Sequence, residues 1–129
     1  MGYIAHHAII VTAETRSIRV FHAQAVATFA GTCAKVTAPT EAGMNATSSF
    51  LIAPDGSKEG WADSDAGDAA RAAFIDYLTA DQYYCVDWVE VRFGGDDSDT
   101  QTYVTRHSGD DEYYAERERL RAMRAEVQP

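Results

Sequence analysis

SSFLIAPDGSKEGWADSDAGDAARAAFIDYL, residues 48–78, carries a strand, a turn and a helix in one stretch, and it decides the fold class. SSFLIA is a short apolar run bounded by turn residues and reads as a strand. Pro54, Asp55 and Gly56 form a good turn, so SKEGW reads as a short return strand of a first hairpin. The proline ahead of Asp-Gly asks for a turn wider than the two-residue form. Asp63, Ser64 and Asp65 then offer alternative caps for a helix and place acids at its positive end. Phe74, Ile75 and Leu78 share one stripe of that helix, with the Arg71 stem laid along its edge. Every local signal in the stretch is structural, and none is a catalytic signature.

Working outward, YIAHHAIIVT (3–12) is β-forming and almost continuously apolar, which predicts a strand buried on both faces or central in a sheet. In residues 15–31, Ile18, Phe21, Ala25, Val26 and Phe29 recur at helical spacing, with Gly31 just beyond and Thr15 or Ser17 as cap. Residues 32–47 read as a loop broken by Pro39, Gly43 and Asn45. YCVDWVEVRF (84–93) alternates, setting Cys85, Asp87, Val89 and Val91 against Val86, Trp88, Glu90 and Arg92. The turn GGDDSD leads to TQTYVTRH (100–107), completing a second hairpin. The last segment, from Asp110, is a helix with Glu116–Arg119 and Glu118–Arg121 pairs and sparse apolar positions at Tyr113, Leu120, Met123 and Val127. The order strand, helix, hairpin, helix, hairpin, helix lacks the alternation of a parallel sheet. It predicts a single α+β domain over 1–111, an antiparallel or mixed sheet of about five strands with two helices packed on it. Residues 112–129 form a charged C-terminal helix, packed on the domain or used for association.

The chain of 129 residues is 46% hydrophobic, enough for a real core. Its net charge of −9 is unevenly spread. Residues 55–112 hold fifteen acids against four basic residues, a net of −11, while 1–54 and 113–129 each come to +1. Such a field disfavours nucleic acid and anionic membrane as direct partners and favours a basic protein; plain solubility is the alternative. No apolar run reaches about 18 residues, so no membrane span is expected. MGYIAHH lacks the features of a signal peptide, and His6 breaks the myristoylation pattern. Cys33 and Cys85 are far apart and read as small buried thiols rather than a disulfide. The expectation is a cytoplasmic protein.

Candidate chemistry is thin. His6 and His7 point to opposite faces of a strand and cannot easily share an ion with His22 or His107, and neither CxxC nor HxxxH occurs. Asp63, Asp65 and Asp68 lack the Gly and Glu of a calcium loop, since Asp68 and Phe74 stand at its sixth and twelfth positions; Asp96, Asp97 and Asp99 lack the closing Glu too. Cys33, Ser48 and Ser49 have no nucleophile motif around them, and GGDD is no phosphate loop. No metal and no cofactor are expected, and an enzyme is disfavoured. The alternative is a small enzyme or nucleotide-binding domain with a site near His7, His22 and residues 32–47. What remains is surface. Asp96, Asp97, Asp99, Asp110, Asp111 and Glu112, with Tyr103 and Tyr113 among them, form the candidate partner-binding set, in which rings anchor and charges steer.

Through GYIAHHAIIVTA, SSFLIAPDGSKEGW, GDAARAAFIDYL and WVEVRFGGDD, the chain resembles a group of small phage-encoded proteins, best over residues 2–12 and 48–97. The resemblance transfers no catalytic residue. It implies a phage accessory protein in the bacterial cytoplasm, an inhibitor of host defence of the anti-CRISPR kind that blocks a basic, nucleic-acid-handling host complex. A host-takeover or virion-associated structural protein is the remaining alternative, and the arginine-bearing tail is a candidate for homodimer formation.

Overall fold

β1 (His6–Glu14) is the middle of the molecule, hydrogen-bonded on both sides. The structure, a computed structural model, describes residues 3–80, 86–95, 102–109 and 111–127, the last stretch by its backbone alone at 111–114, 117 and 126–127. After β1 come α1 (Thr15–Phe29), β2 (Thr40–Glu41), β3 (Thr47–Ile52), α2 (Ala62–Ala80), β4 (Val86–Phe93), β5 (Tyr103–His107) and α3 (Asp111–Val127). The five strands make one sheet in the order β2-β3-β1-β4-β5, with every pairing antiparallel. The chain is thus an α+β domain with a single sheet.

Alternation along β1 sorts the residues. Ile9, Val11 and Ala13 are buried together with Phe50 and Ile52 of β3 and Trp88 of β4. Against them pack Ile18, Phe21, Ala25 and Phe29 of α1 and Phe74, Ile75 and Leu78 of α2. Phe74 is the hub, with Phe29, Phe50 and Tyr77 all within ring-contact distance. Each fully buried side chain of this size contributes about 1.5–3 kcal/mol. β1 is central in the sheet, one of the two arrangements expected of it, but it is not buried on both faces, since Ile10 is 44% exposed. Both core-forming helices pack on the face of Ile9 and Val11, which leaves the face of Ile10 to solvent.

The expected hairpin at Pro54–Gly56 does not form. Asp55 Oδ1 accepts the Ser57 amide (2.9 Å) and the Ser57 hydroxyl (2.6 Å), which kinks the chain instead of reversing it. The chain runs on past the end of β3, and Lys58 bridges to Ile4. β3 finds its hairpin partner upstream, in β2 and in a bridge from Val36 to Ile52, inside the segment expected to be irregular.

The second hairpin forms with a bulge. Glu90 pairs with Arg106 but Val91 pairs with Val104, so Thr105 is the extra residue. The slip turns Arg106 to the helix side, where it grips Glu90, and turns Val104 outward. α1 has no side-chain cap; the Ala46 carbonyl accepts the Thr15 amide at 2.7 Å. Cys33 is exposed rather than buried, and Cys85 lies outside the described residues. α3 is tied to the end of α2 by Arg121, which donates to the Thr79 hydroxyl at 3.0 Å. Among the described residues no helix is long and apolar enough to cross a membrane.

Candidate binding surfaces

The open face of the sheet carries an apolar strip. Leu51, Ile10 and Val89 stand in one cross-strand row, and Val91 with Val104 stand beside it. Ile10 is 44% and Val104 52% exposed, and the other three are half-buried. One end of the strip is polar, where the Thr12 and Ser49 hydroxyls meet at 2.7 Å and Asp87, paired with Thr12, is exposed. At the other end the His6 ring lies 5.4 Å from Phe93. Contiguous apolar surface on a sheet face that neither α1 nor α2 covers is what a partner would cover.

The sequence-derived partner set falls differently. Asp96, Asp97, Asp99 and Asp110 lie outside the described residues. Asp111, Glu112 and Tyr113 are in the first turn of α3. Tyr103 is on β5, but its pairing with Arg92 turns it to the helix side, away from Val104. Its hydroxyl accepts from Arg92 Nη1 at 3.1 Å.

A second cluster gathers where β1 begins. His7 Nε2 and Glu59 Oε1 are 2.8 Å apart, and the Ser64 hydroxyl reaches Glu59 Oε2 at 3.5 Å. Arg71, expected at a helix edge, is only 2% exposed; it binds Asp68 one turn earlier and lies 3.8 Å from Asp55 Oδ2. Burial pushes the Asp55 carboxyl up. The Ser57 hydroxyl and amide and the Arg71 and His7 charges outweigh that and hold it below its ordinary 3.8. Gly67 makes this possible, because a Cβ there would lie 2.5 Å from Asp55 Oδ2. Sequence reading missed the association of Asp55, Glu59 and Arg71; an arginine on the apolar stripe of α2 was the available signal. The proposed union of His7 and His22 is not formed. His22 Nε2 sits 3.1 Å from the Thr37 carbonyl, its ring edge-on to Phe50. The cluster around Arg71 is a set of mutually paired ions and reads as a staple between the 55–59 segment and α2. Among the described residues no three His, Cys, Asp or Glu side chains come together as a metal set.

At the far end of β1, a cavity of about 880 Å³ opens between the start of α1 and the 39–46 segment. Ile18, Pro39 and Ala46 give it apolar walls, Ser48 and Thr15 a hydroxyl pair 2.8 Å apart, and Arg16 and Arg19 a basic rim. Glu14 partly offsets that rim through a 2.9 Å pair with Arg16. Asn45 (φ 62°) and Ala46 (φ 47°) hold left-handed backbone at its edge, a conformation that costs a non-glycine residue roughly 1 kcal/mol. Set against known protein families, curated proteins and solved structures, the chain matches none.

Proposed function

We propose that the protein is a binding module that docks a basic, nucleic-acid-handling protein complex through the open face of its sheet, as an inhibitor of the anti-CRISPR kind in a bacterial cytoplasm would. The observation that carries this reading is the exposed strip from Leu51 through Ile10 and Val89 to Val104. The sheet builds it at full length, yet neither α1 nor α2 covers it. Burying it against a partner supplies the apolar contact, while the net charge of −9 supplies long-range attraction for a basic surface and sets the salt dependence. Asp87, on the same face, is an acid within reach of that contact.

Ile10→Lys and Val104→Lys test the reading, because both sites are exposed and the substitutions leave the core alone. The wild type is expected to bind a purified bacterial nucleic-acid-handling complex, to lose affinity steeply with salt, and to lose it at least tenfold in either variant while Tm stays put. Variants that bind as well as the wild type overturn the assignment of this face. A second reading rests on the cavity, whose volume falls within the range of small-ligand sites. It expects a nucleotide or similar metabolite to raise Tm in the wild type and not in Ser48→Phe.

A further inference from the structure

Arg92 is held unlike the ion-pairing arginines among the described residues. Arg16, Arg71, Arg106 and Arg119 each grip a carboxylate. Arg92 instead donates from Nη2 to the Tyr3 hydroxyl at 3.0 Å and from Nη1 to the Tyr103 hydroxyl at 3.1 Å. The two rings flank its guanidinium, with centroids 6.0 and 5.9 Å away. Its Nε is buried without a hydrogen-bond partner. In a chain of net charge −9, a guanidinium held by phenols in place of a carboxylate calls for an explanation.

The hydrogen-bond bookkeeping supplies one. Each phenol oxygen accepts from Arg92, so each O–H proton is free to donate elsewhere. A guanidinium carries five N–H donors, and the tyrosines take two of them. The assembly therefore presents a fixed positive charge and a group of donors, with both phenols already acting as acceptors toward Arg92 itself. Tyr3 and Tyr103 are 40% and 44% exposed, so their O–H donors are within reach of solvent. The strands fix the geometry, because Arg92 pairs with His7 on β1 and with Tyr103 on β5. Tyr3 is anchored by its carbonyl, which accepts the Glu59 amide at 2.8 Å.

We propose that Tyr3, Arg92 and Tyr103 form a binding site for a single phosphate-type oxyanion. Donors arriving from two sides of a planar fork suit a tetrahedral anion with several acceptor oxygens better than a carboxylate with two. The surrounding acidity, −11 over residues 55–112, selects against a polyanion such as a nucleic-acid strand. The site lies on the helix side of the sheet, opposite the apolar strip, and is independent of the docking reading.

The test is a titration of the full chain followed by NMR at the Arg92 Nε–Hε signal, with ionic strength held constant against sodium chloride. Inorganic phosphate and adenosine monophosphate are expected to give a saturable shift, with Kd of roughly 1–10 mM for so few contacts. Tyr3→Phe/Tyr103→Phe keeps both rings and removes both O–H donors. It is expected to weaken binding about tenfold while amide dispersion stays that of the folded protein. Arg92→Lys, which lacks the Nε–Hε reporter and is followed at the Phe93 backbone amide alongside the wild type, is expected to lose the saturable shift. No saturation beyond the chloride control overturns the site, as does unchanged affinity in the double Phe variant. Acetate binding as tightly as phosphate overturns the assignment of ligand class. A short single-stranded oligonucleotide binding more tightly than the mononucleotide overturns the selection against polyanions.

Discussion

Gly67→Ala separates two effects of opposite sign in one substitution. Within a helix, alanine is favoured over glycine by about 1 kcal/mol, so propensity alone predicts stabilisation. Here the new Cβ would stand 2.5 Å from Asp55 Oδ2 and 3.2 Å from Arg71 Nη1. The carboxylate must retreat by about 1 Å to reach ordinary contact distance, and it is not free to do so, since Ser57 holds Oδ1 through two hydrogen bonds of 2.6 and 2.9 Å. Hydrogen bonds to charged groups contribute about 1.5–3 kcal/mol each, and Arg71 is buried, so loosening its partner exposes the cost of a poorly compensated ion. The expected outcome is net destabilisation by about 1–3 kcal/mol, or a Tm lowered by about 4–12 °C for a chain of this size. Thermal and urea unfolding followed by circular dichroism measure it. In an Asp55→Ala background the obstacle is gone, and Gly67→Ala should there be neutral or stabilising. An increase in stability on the wild-type background would mean that Asp55 is not held in place against the Gly67 backbone.

Asp55 also sets an acid limit. Its folded pKa lies below the ordinary 3.8, so the unfolded chain holds the proton more tightly; the stability it supplies is fully present above about pH 4 and is lost as pH falls through the folded value. Asp55→Asn should lower stability at pH 7 and flatten this part of the acid limb in urea unfolding, whereas an acid limb identical to the wild type's would count against it. Glu90 is 2% exposed and accepts two bonds from Arg106 at 2.7 and 2.8 Å; Glu90→Gln should cost about 3 kcal/mol by the same assay, and a loss under 1 kcal/mol would mean the pair is not needed. Ala46→Gly relieves a left-handed alanine and should raise stability by up to about 1 kcal/mol while the Ala46 carbonyl keeps capping α1; lowered stability would show that the strain reading is wrong.

The fold was legible where one periodicity dominates. The stripe of Ile18, Phe21, Ala25 and Phe29 predicts α1 and its buried face, though Val26, counted in the same stripe, is 49% exposed. The alternation in β4 predicts the strand but not the covered side, since Glu90 and Arg92 share a face with Trp88. Legibility failed where a side chain competes with the backbone for structure. Pro54-Asp55-Gly56 carries hairpin chemistry, yet the Asp55 carboxylate captures Ser57 and turns the hairpin into a kink. Arg71 shows the same limit. Helical spacing places it beside the apolar stripe, but only tertiary contact with Asp55 over the bare Gly67 backbone explains its burial. Of the site residues, Tyr103 could be read as an exposed ring but not as a clamp on Arg92, because its orientation depends on the bulge at Thr105. The exposed strip at Ile10 was hidden for a different reason: a nearly continuous apolar run looks the same whether one face or both are covered.

Hydroxyl-radical footprinting of the protein, alone and mixed with the heparin-binding protein fraction of a bacterial lysate, tests the docking reading most directly. Docking through the open face gives protection concentrated at Ile10, Leu51, Val89 and Val104, relieved by salt, with the exposed Val20 and Val26 on α1 unchanged. Unaltered oxidation at the four strip residues, or protection centred on α1, would contradict it.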